Sequence, residues 1–170
     1  MTDRRFVRDA LERFEGPLLL YARRLLGDDD RARDLVQDTF LKLCRLPPAE
    51  VETRAPHLRE WLFTVCRNGA IDLRRKERVM RVSETVRIDG DVERPGGEPA
   101  PEAAAVAAEQ GDAVLAQLAS LPEKQQEVLR LKFQGELSYR EIAAVTGESI
   151  GNVGWLIHQG LKTLRRKVTS

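Results

Sequence analysis

Between Ser149 and Lys162 the sequence sets Ser149, Asn152, Trp155, His158, Gln159 and Lys162 mostly three residues apart, a spacing that gathers side chains on one outward arc of a helix. These groups suit recognition by hydrogen bond and charge. Asn and Gln can pair bidentately with adenine, and Lys can reach guanine or a phosphate. Trp155 could meet a thymine methyl or a sugar, or pack against a partner, and its type alone does not choose between them. Covalent chemistry has no comparable set. Cys44 and Cys66 have no Cys or His at metal-ligand spacing, and His57 and His158 lie far apart in sequence. Nothing resembles a Ser/His/Asp or Cys/His arrangement, a Gly-rich phosphate cradle or a repeated acidic metal site. The expectation is no enzyme, metal, cofactor or small-molecule substrate, with both cysteines as small buried apolar groups.

Positioning such an arc takes a second helix. Ser138-Tyr139-Arg140-Glu141 is a capping box, in which the serine caps a helix start and the glutamate reaches back. The short helix it opens carries Ile142, Ala143 and Val145 and ends at Gly147, a residue suited to a left-handed helix terminus. Ser149 can cap the next helix at once, and that helix is expected to bury Val153, Leu156, Ile157, Gly160, Leu161 and Leu164. Two short helices around a glycine-containing turn, the second polar outside, make a helix-turn-helix pattern near 138–160. Ala143 and Ala144 are small enough for close helix approach. A helical hairpin that merely packs would satisfy the same pattern. Upstream, Pro122 suits a first helical position, and Val128, Leu129, Lys132 and Phe133 continue that helix to Gly135.

The charge balance argues the other way at first. Lys+Arg is 28 and Asp+Glu is 27, a formal net of +1, without the basic excess usual in nucleic-acid binders. Resolved along the chain, residues 1–80 hold 17 basic and 14 acidic groups, residues 81–110 hold 3 and 7, and residues 111–170 hold 8 and 6. Two mildly basic modules are thus balanced by an acidic segment. That segment contains Gly90, Pro95-Gly96-Gly97, Pro99 and Pro101 with almost no large apolar residue. It reads as a tether, unable to bury enough surface to offset the entropy of ordering. No apolar run approaches the ~18–20 residues that span a bilayer, and Met1–Phe6 lacks the apolar stretch of a signal peptide. A soluble, intracellular chain without membrane insertion is expected.

The first module also reads as helical. Asp28-Asp29-Asp30 places negative charge where a helix start favours it, and Ala32, Leu35, Val36, Thr39 and Leu43 follow at core-facing spacing until Pro47-Pro48. A long helix is expected from near Pro56, with Leu58, Trp61, Leu62, Val65, Cys66, Gly69 and Leu73 on its apolar stripe. An N-terminal helical stretch is expected to break at Gly16-Pro17 and resume through Leu18–Leu26. Aromatics are only 5% of the chain, and no period-two alternation is long enough for a strand. The fold class is all-α.

Several segments resemble a known family in order and separation. Asp34–Leu43, Glu60–Asn68 and Ile71–Lys76 resemble region two of bacterial sigma factors, and Leu121–Leu129 with Leu137–Ala143 resembles region four. Two such domains on a short tether match the layout of the extracytoplasmic-function (ECF) group of the sigma-70 family. The resemblance implies domains at 1–80 (region 2) and 111–170 (region 4), with the acidic Pro/Gly linker at 81–110. It implies a cytoplasmic factor without catalytic residues that binds core RNA polymerase, recognises the −35 and −10 promoter elements and helps open the duplex. Its implied partners are core polymerase (β′ clamp helices and β flap), promoter DNA and an anti-sigma factor.

Carried onto this chain, the resemblance places polymerase docking on Asp34, Leu35, Gln37, Asp38 and Lys42. Contact with the −10 element falls to Arg67, Asn68, Arg74, Arg75, Lys76 and Arg78, which lie off the apolar stripe. Trp61 lies on that stripe, where core packing outweighs base stacking. The segment Leu46 to Ala55 corresponds to the family's base-capturing loop. Contact with the −35 element falls to Arg140, Ser149, Asn152, Trp155, His158, Gln159 and Lys162, with the Arg165-Arg166-Lys167 tail. Gly154 and Leu156 stand where many relatives carry basic residues, and each lost phosphate contact weakens binding. The acidic linker suits an electropositive polymerase channel or serves only as a solubilising spacer. Two other functions stay open at this point: a helix-turn-helix regulator without a polymerase role, and an antagonist that occupies polymerase or another sigma factor.

Overall fold

A computed structural model of the chain describes residues 2–85 and 113–169. Residues 86–112, which include most of the segment read as a tether, lie outside the described residues. Among the described residues every regular element is helical: α1 (Arg4–Leu26), α2 (Asp29–Cys44), α3 (Pro48–Arg54), a 3-10 turn (Ala55–His57), α4 (Leu58–Thr85), α5 (Ala113–Leu118), α6 (Glu123–Phe133), α7 (Tyr139–Thr146) and α8 (Ile150–Thr169). The all-α reading holds.

The expected break at Gly16-Pro17 does not occur; α1 runs unbroken through Pro17. An interior proline removes one helical hydrogen bond and costs roughly 3 kcal/mol. Phe14, Leu18, Tyr21 and Ala22 are buried on either side of it, and each large apolar side chain so buried returns roughly 1.5–3 kcal/mol. Packing therefore overrides the local signal. In α2 the Asp28 carboxylate accepts from the backbone N–H groups of Asp30 and Arg31 at 2.8 and 3.3 Å, as its acidic start suggests. Ala32, Leu35, Val36, Thr39, Phe40 and Leu43 form its buried face.

The prolines after α2 act differently from expectation. Pro47 is the N-cap residue of α3 and Pro48 its first residue, where a missing N–H removes no helical bond. Most of the segment read as a loop from Leu46 to Ala55 is therefore helical. Pro56 sits in the 3-10 turn, so the long helix starts at Leu58 and runs to Thr85, five residues into the segment read as linker. Pro122 precedes α6 as its N-cap rather than opening it.

The two halves share one core. Tyr21 of α1 and Phe63 of α4 are buried, their ring centroids 5.5 Å apart. Phe63 lies off the stripe identified from sequence because it faces the C-terminal half. A side chain at Gly135 would meet the backbone oxygen of Leu131 at 2.9 Å and Cζ of Phe63 at 3.2 Å. Glycine here avoids a clash with the last turn of α6 and leaves room for Phe63 of α4.

Candidate functional site

The helix-turn-helix forms as its capping residues dictate. The Ser138 hydroxyl accepts from the Glu141 N–H at 3.1 Å, and the Glu141 carboxylate accepts from the Ser138 N–H at 3.0 Å. Gly147 ends α7 with φ 79°, in the left-handed region. The Ser149 hydroxyl then accepts from the Asn152 N–H at 3.0 Å and starts α8. Below this turn Ile142, Val145, Val153, Leu156 and Ile157 are buried, while Leu161 and Leu164 are half-buried. Ala143 is half-buried and Ala144 exposed, so only the first lies against a neighbour as expected.

Of the expected readout residues, Ser149, Trp155, His158, Lys162 and Arg140 are exposed, and Asn152 and Gln159 are half-buried. Two are partly committed. Besides capping by Ser149, the Asn152 side-chain amide donates to the Glu148 carboxylate at 2.6 Å, which Lys124 also holds at 2.9 Å. These hydrogen bonds hold the Glu148 carboxyl below its usual pKa. Leu156 is only 6% exposed, so a core group, not a missing phosphate contact, occupies that position. Gly154 has the Tyr139 ring beside it, 3.5 Å from where a Cβ would stand. Ile150, half exposed, stands beside the expected residues, and an apolar residue just after a capping serine is its signal in the sequence.

On α4, Asn68, Arg74, Arg75, Lys76 and Arg78 are exposed, with Arg74 3.9 Å from Glu123. Arg67 is placed differently. Its Nε donates to Oε1 of Glu127 at 2.7 Å, and the Tyr21 hydroxyl donates to the same oxygen at 2.6 Å. Burial disfavours the Arg67 charge, yet the bond and charge of Glu127 hold its pKa above the usual value. The reading of Arg67 as a solvent-facing DNA group is corrected: in this arrangement it is tied to the C-terminal half. Burial and Glu127 likewise raise the Tyr21 phenol. Nearby, Arg24 bonds Gln126, and burial together with Arg24 lowers Arg130 to about 10. These groups line a shallow cleft of Tyr21, Arg24, Leu25, Glu123, Glu127 and Arg130. These pairings span 60 to 106 residues of sequence, beyond what local periodicity can signal.

On α2, Asp34, Gln37, Asp38 and Lys42 are exposed on one side. Leu35 is not among them; at 5% exposure it packs into the core, so its reading as a contact residue is corrected. Leu41, 43% exposed, takes its place on that face. Its position off the apolar spacing of α2 was the available signal. Trp61 is half-buried with the Arg54 guanidinium 5.6 Å from its ring centroid. Cys66 is buried and Cys44 half-buried, both free thiols, and burial pushes the Cys66 thiol up to about 12. Among the described residues no group of His, Cys, Asp or Glu is placed to hold a metal ion, and no helix is long and apolar enough to cross a membrane.

Comparison with known proteins follows the same division. The family model for Sigma-70 region 2 matches residues 10–79, and that for Sigma-70, region 4 matches residues 111–164. The chain is 32% identical over 148 residues to the ECF RNA polymerase sigma factor SigL of Mycobacterium tuberculosis, covering 85% of this chain and 78% of that protein. It is 26% identical over 169 residues to the RNA polymerase sigma factor YlaC of Bacillus subtilis, covering 99% and 95%. Among solved structures it resembles the sigma factor RpoE in complex with the anti-sigma factor NepR from Bartonella quintana, with TM-score 0.63, 24% identity and 98% of each chain covered.

Proposed function

The chain belongs to the ECF group of sigma-70 family sigma factors, transcription initiation factors, and we propose that its three polar faces divide the work of directing RNA polymerase to promoters. The α2 face of Asp34, Gln37, Asp38, Leu41 and Lys42 docks on the β′ clamp helices, where burying the exposed Leu41 among its polar neighbours removes apolar surface from water. The Asn68, Arg74, Arg75, Lys76 and Arg78 surface of α4 holds the −10 element and its opened strand by charge. The α8 face of Ser149, Asn152, Trp155, His158, Gln159 and Lys162, with Arg140 and the Arg165-Arg166-Lys167 tail, enters the major groove at the −35 element while its module rests on the β flap. The chemistry of RNA synthesis belongs to the polymerase, in the cytoplasm. An anti-sigma factor is a further partner, as the RpoE–NepR complex illustrates for a relative.

The observation that carries this reading is the capped helix-turn-helix whose second helix leaves its outward arc exposed. Neither module is basic enough to grip DNA strongly alone. Holding both on one polymerase makes the second contact intramolecular and multiplies affinity without new bonds. A hydroxyl-radical footprint of holoenzyme assembled from core polymerase and the full chain tests the division. Protection at two separate promoter segments is expected; protection at one segment, or none, contradicts it.

A further inference from the structure

We propose that the first two turns of α8 read promoter DNA through the methyl groups of thymines, with Ile150 and Trp155 as specificity-determining residues. This rests on the reading that α8 enters the major groove of the −35 element. Ile150 is 50% and Trp155 56% exposed. At about 100° per residue they stand at the two edges of the exposed arc, with Gly151 and Gly154 between them. Neither glycine projects a side chain, and a Cβ on Gly151 would meet nothing within 4 Å. The Tyr139 ring beside Gly154, 3.5 Å from where a Cβ would stand, extends the apolar surface.

The polar groups of the same turns are turned to other tasks. The Ser149 hydroxyl caps the helix, and the Asn152 amide is held by Glu148, itself held by Lys124. What the first two turns offer a groove is therefore apolar, and His158 is the next exposed group along the same arc. In the major groove only thymine presents an apolar group, its C5 methyl; the other base edges present donors and acceptors. Cations follow further along the helix, at Lys162, Arg165 and Arg166, where they can reach phosphates and fix the register. The occupant of this face is thus duplex DNA.

Holoenzyme built from core polymerase and the full chain is used to select from a duplex library randomised over the −35 segment. Each thymine of the selected duplex is then replaced singly by uracil, which removes only the methyl. At one or two positions binding is expected to weaken about four-fold, the factor worth roughly one buried CH2-sized group. Trp155→Ala and Ile150→Ala are expected to bind the thymine and uracil duplexes equally, and Trp155→Phe to keep part of the difference. Both side chains are exposed, so unchanged far-UV circular dichroism accompanies these variants. A selected −35 sequence whose thymines all tolerate uracil overturns this inference alone. A library that shows no enrichment overturns the −35 reading as well.

The seam between the modules supports a separate inference: we infer that Glu127 is a latch that holds the free chain closed and keeps Arg67 from DNA. One carboxylate oxygen joins Tyr21 and Arg67 of the N-terminal half to α6, and Arg59 donates to the Glu136 carbonyl at 3.2 Å. A compact chain of 170 residues has a radius of gyration of about 15 Å. Elements named −35 and −10 lie roughly 25 base pairs apart, on the order of 80 Å of duplex. The closed chain cannot reach both, so the seam must part on the promoter. Its ties are the polar ones of Tyr21, Arg67 and Arg59 beside the buried Phe63 contact, and binding to polymerase must offset both.

Small-angle scattering of the free full chain and the rate of its association with core polymerase test the latch. Glu127→Ala is expected to raise the radius of gyration and speed association several-fold. Tyr21→Phe, which deletes one hydroxyl from the other half, is expected to shift both in the same direction by less. Absence of either change in Glu127→Ala overturns the latch.

Discussion

The two nucleic-acid faces are built from opposite materials. The outer face of α4 carries Arg74, Arg75, Lys76 and Arg78 within five residues, all exposed, whereas the first two turns of α8 expose Ile150, Gly151 and Trp155 and bond Asn152 to Glu148. A dense cation run binds phosphate wherever it lies and is weakened by salt. An apolar arc held by a capped turn contributes little until it meets one groove geometry. The contrast suggests that the region 2 module supplies grip and the region 4 module supplies discrimination. Between them the seam of Tyr21, Phe63 and Glu127 uses groups from both.

The largest effect is expected where the comparison would fail if the modules were independent. Phe63→Ala should cost about 3 kcal/mol or more, and denaturant unfolding followed by a probe in each half should shift in both. A shift confined to the N-terminal half would break the shared-core account. Leu41→Asp comes next: with the fold intact, binding to core polymerase should weaken at least ten-fold, about 1.4 kcal/mol, measured by fluorescence anisotropy. Ser138→Ala removes one side of the capping box and should cost about 1 kcal/mol, seen as a loss of a few degrees in Tm. Last, Arg75→Ala and Lys76→Ala should each reduce the salt slope of promoter binding by roughly one. Trp155→Ala should weaken binding without changing that slope. Equal slope changes on both faces would erase the distinction drawn here.

What the sequence discloses follows the range of the forces involved. Ser138, Glu141, Gly147 and Ser149 satisfy backbone groups three or four residues away, so the helix-turn-helix is written in consecutive residues. Continuity through Pro17 is decided instead by the burial of Phe14, Leu18 and Tyr21, which no local rule contains. Leu35 and Leu41 show the same difference on one helix. A motif placed Leu35 at a contact, but its spacing with Ala32, Val36 and Thr39 already marked it as core, and Leu41 as the outlier. The tie of Arg67 to Glu127 was beyond reach because each residue looks like an ordinary surface charge until the halves meet. Splitting the near-zero net charge along the chain exposed two mildly basic modules; it could not show that they share a core.

Run-off transcription with purified core polymerase, the full chain and a promoter library tests the central claim most directly. Transcripts that start at a defined subset of promoters, and only when the chain is present, are the predicted result. Core polymerase that binds the chain yet gives no chain-dependent, promoter-specific transcript would contradict it.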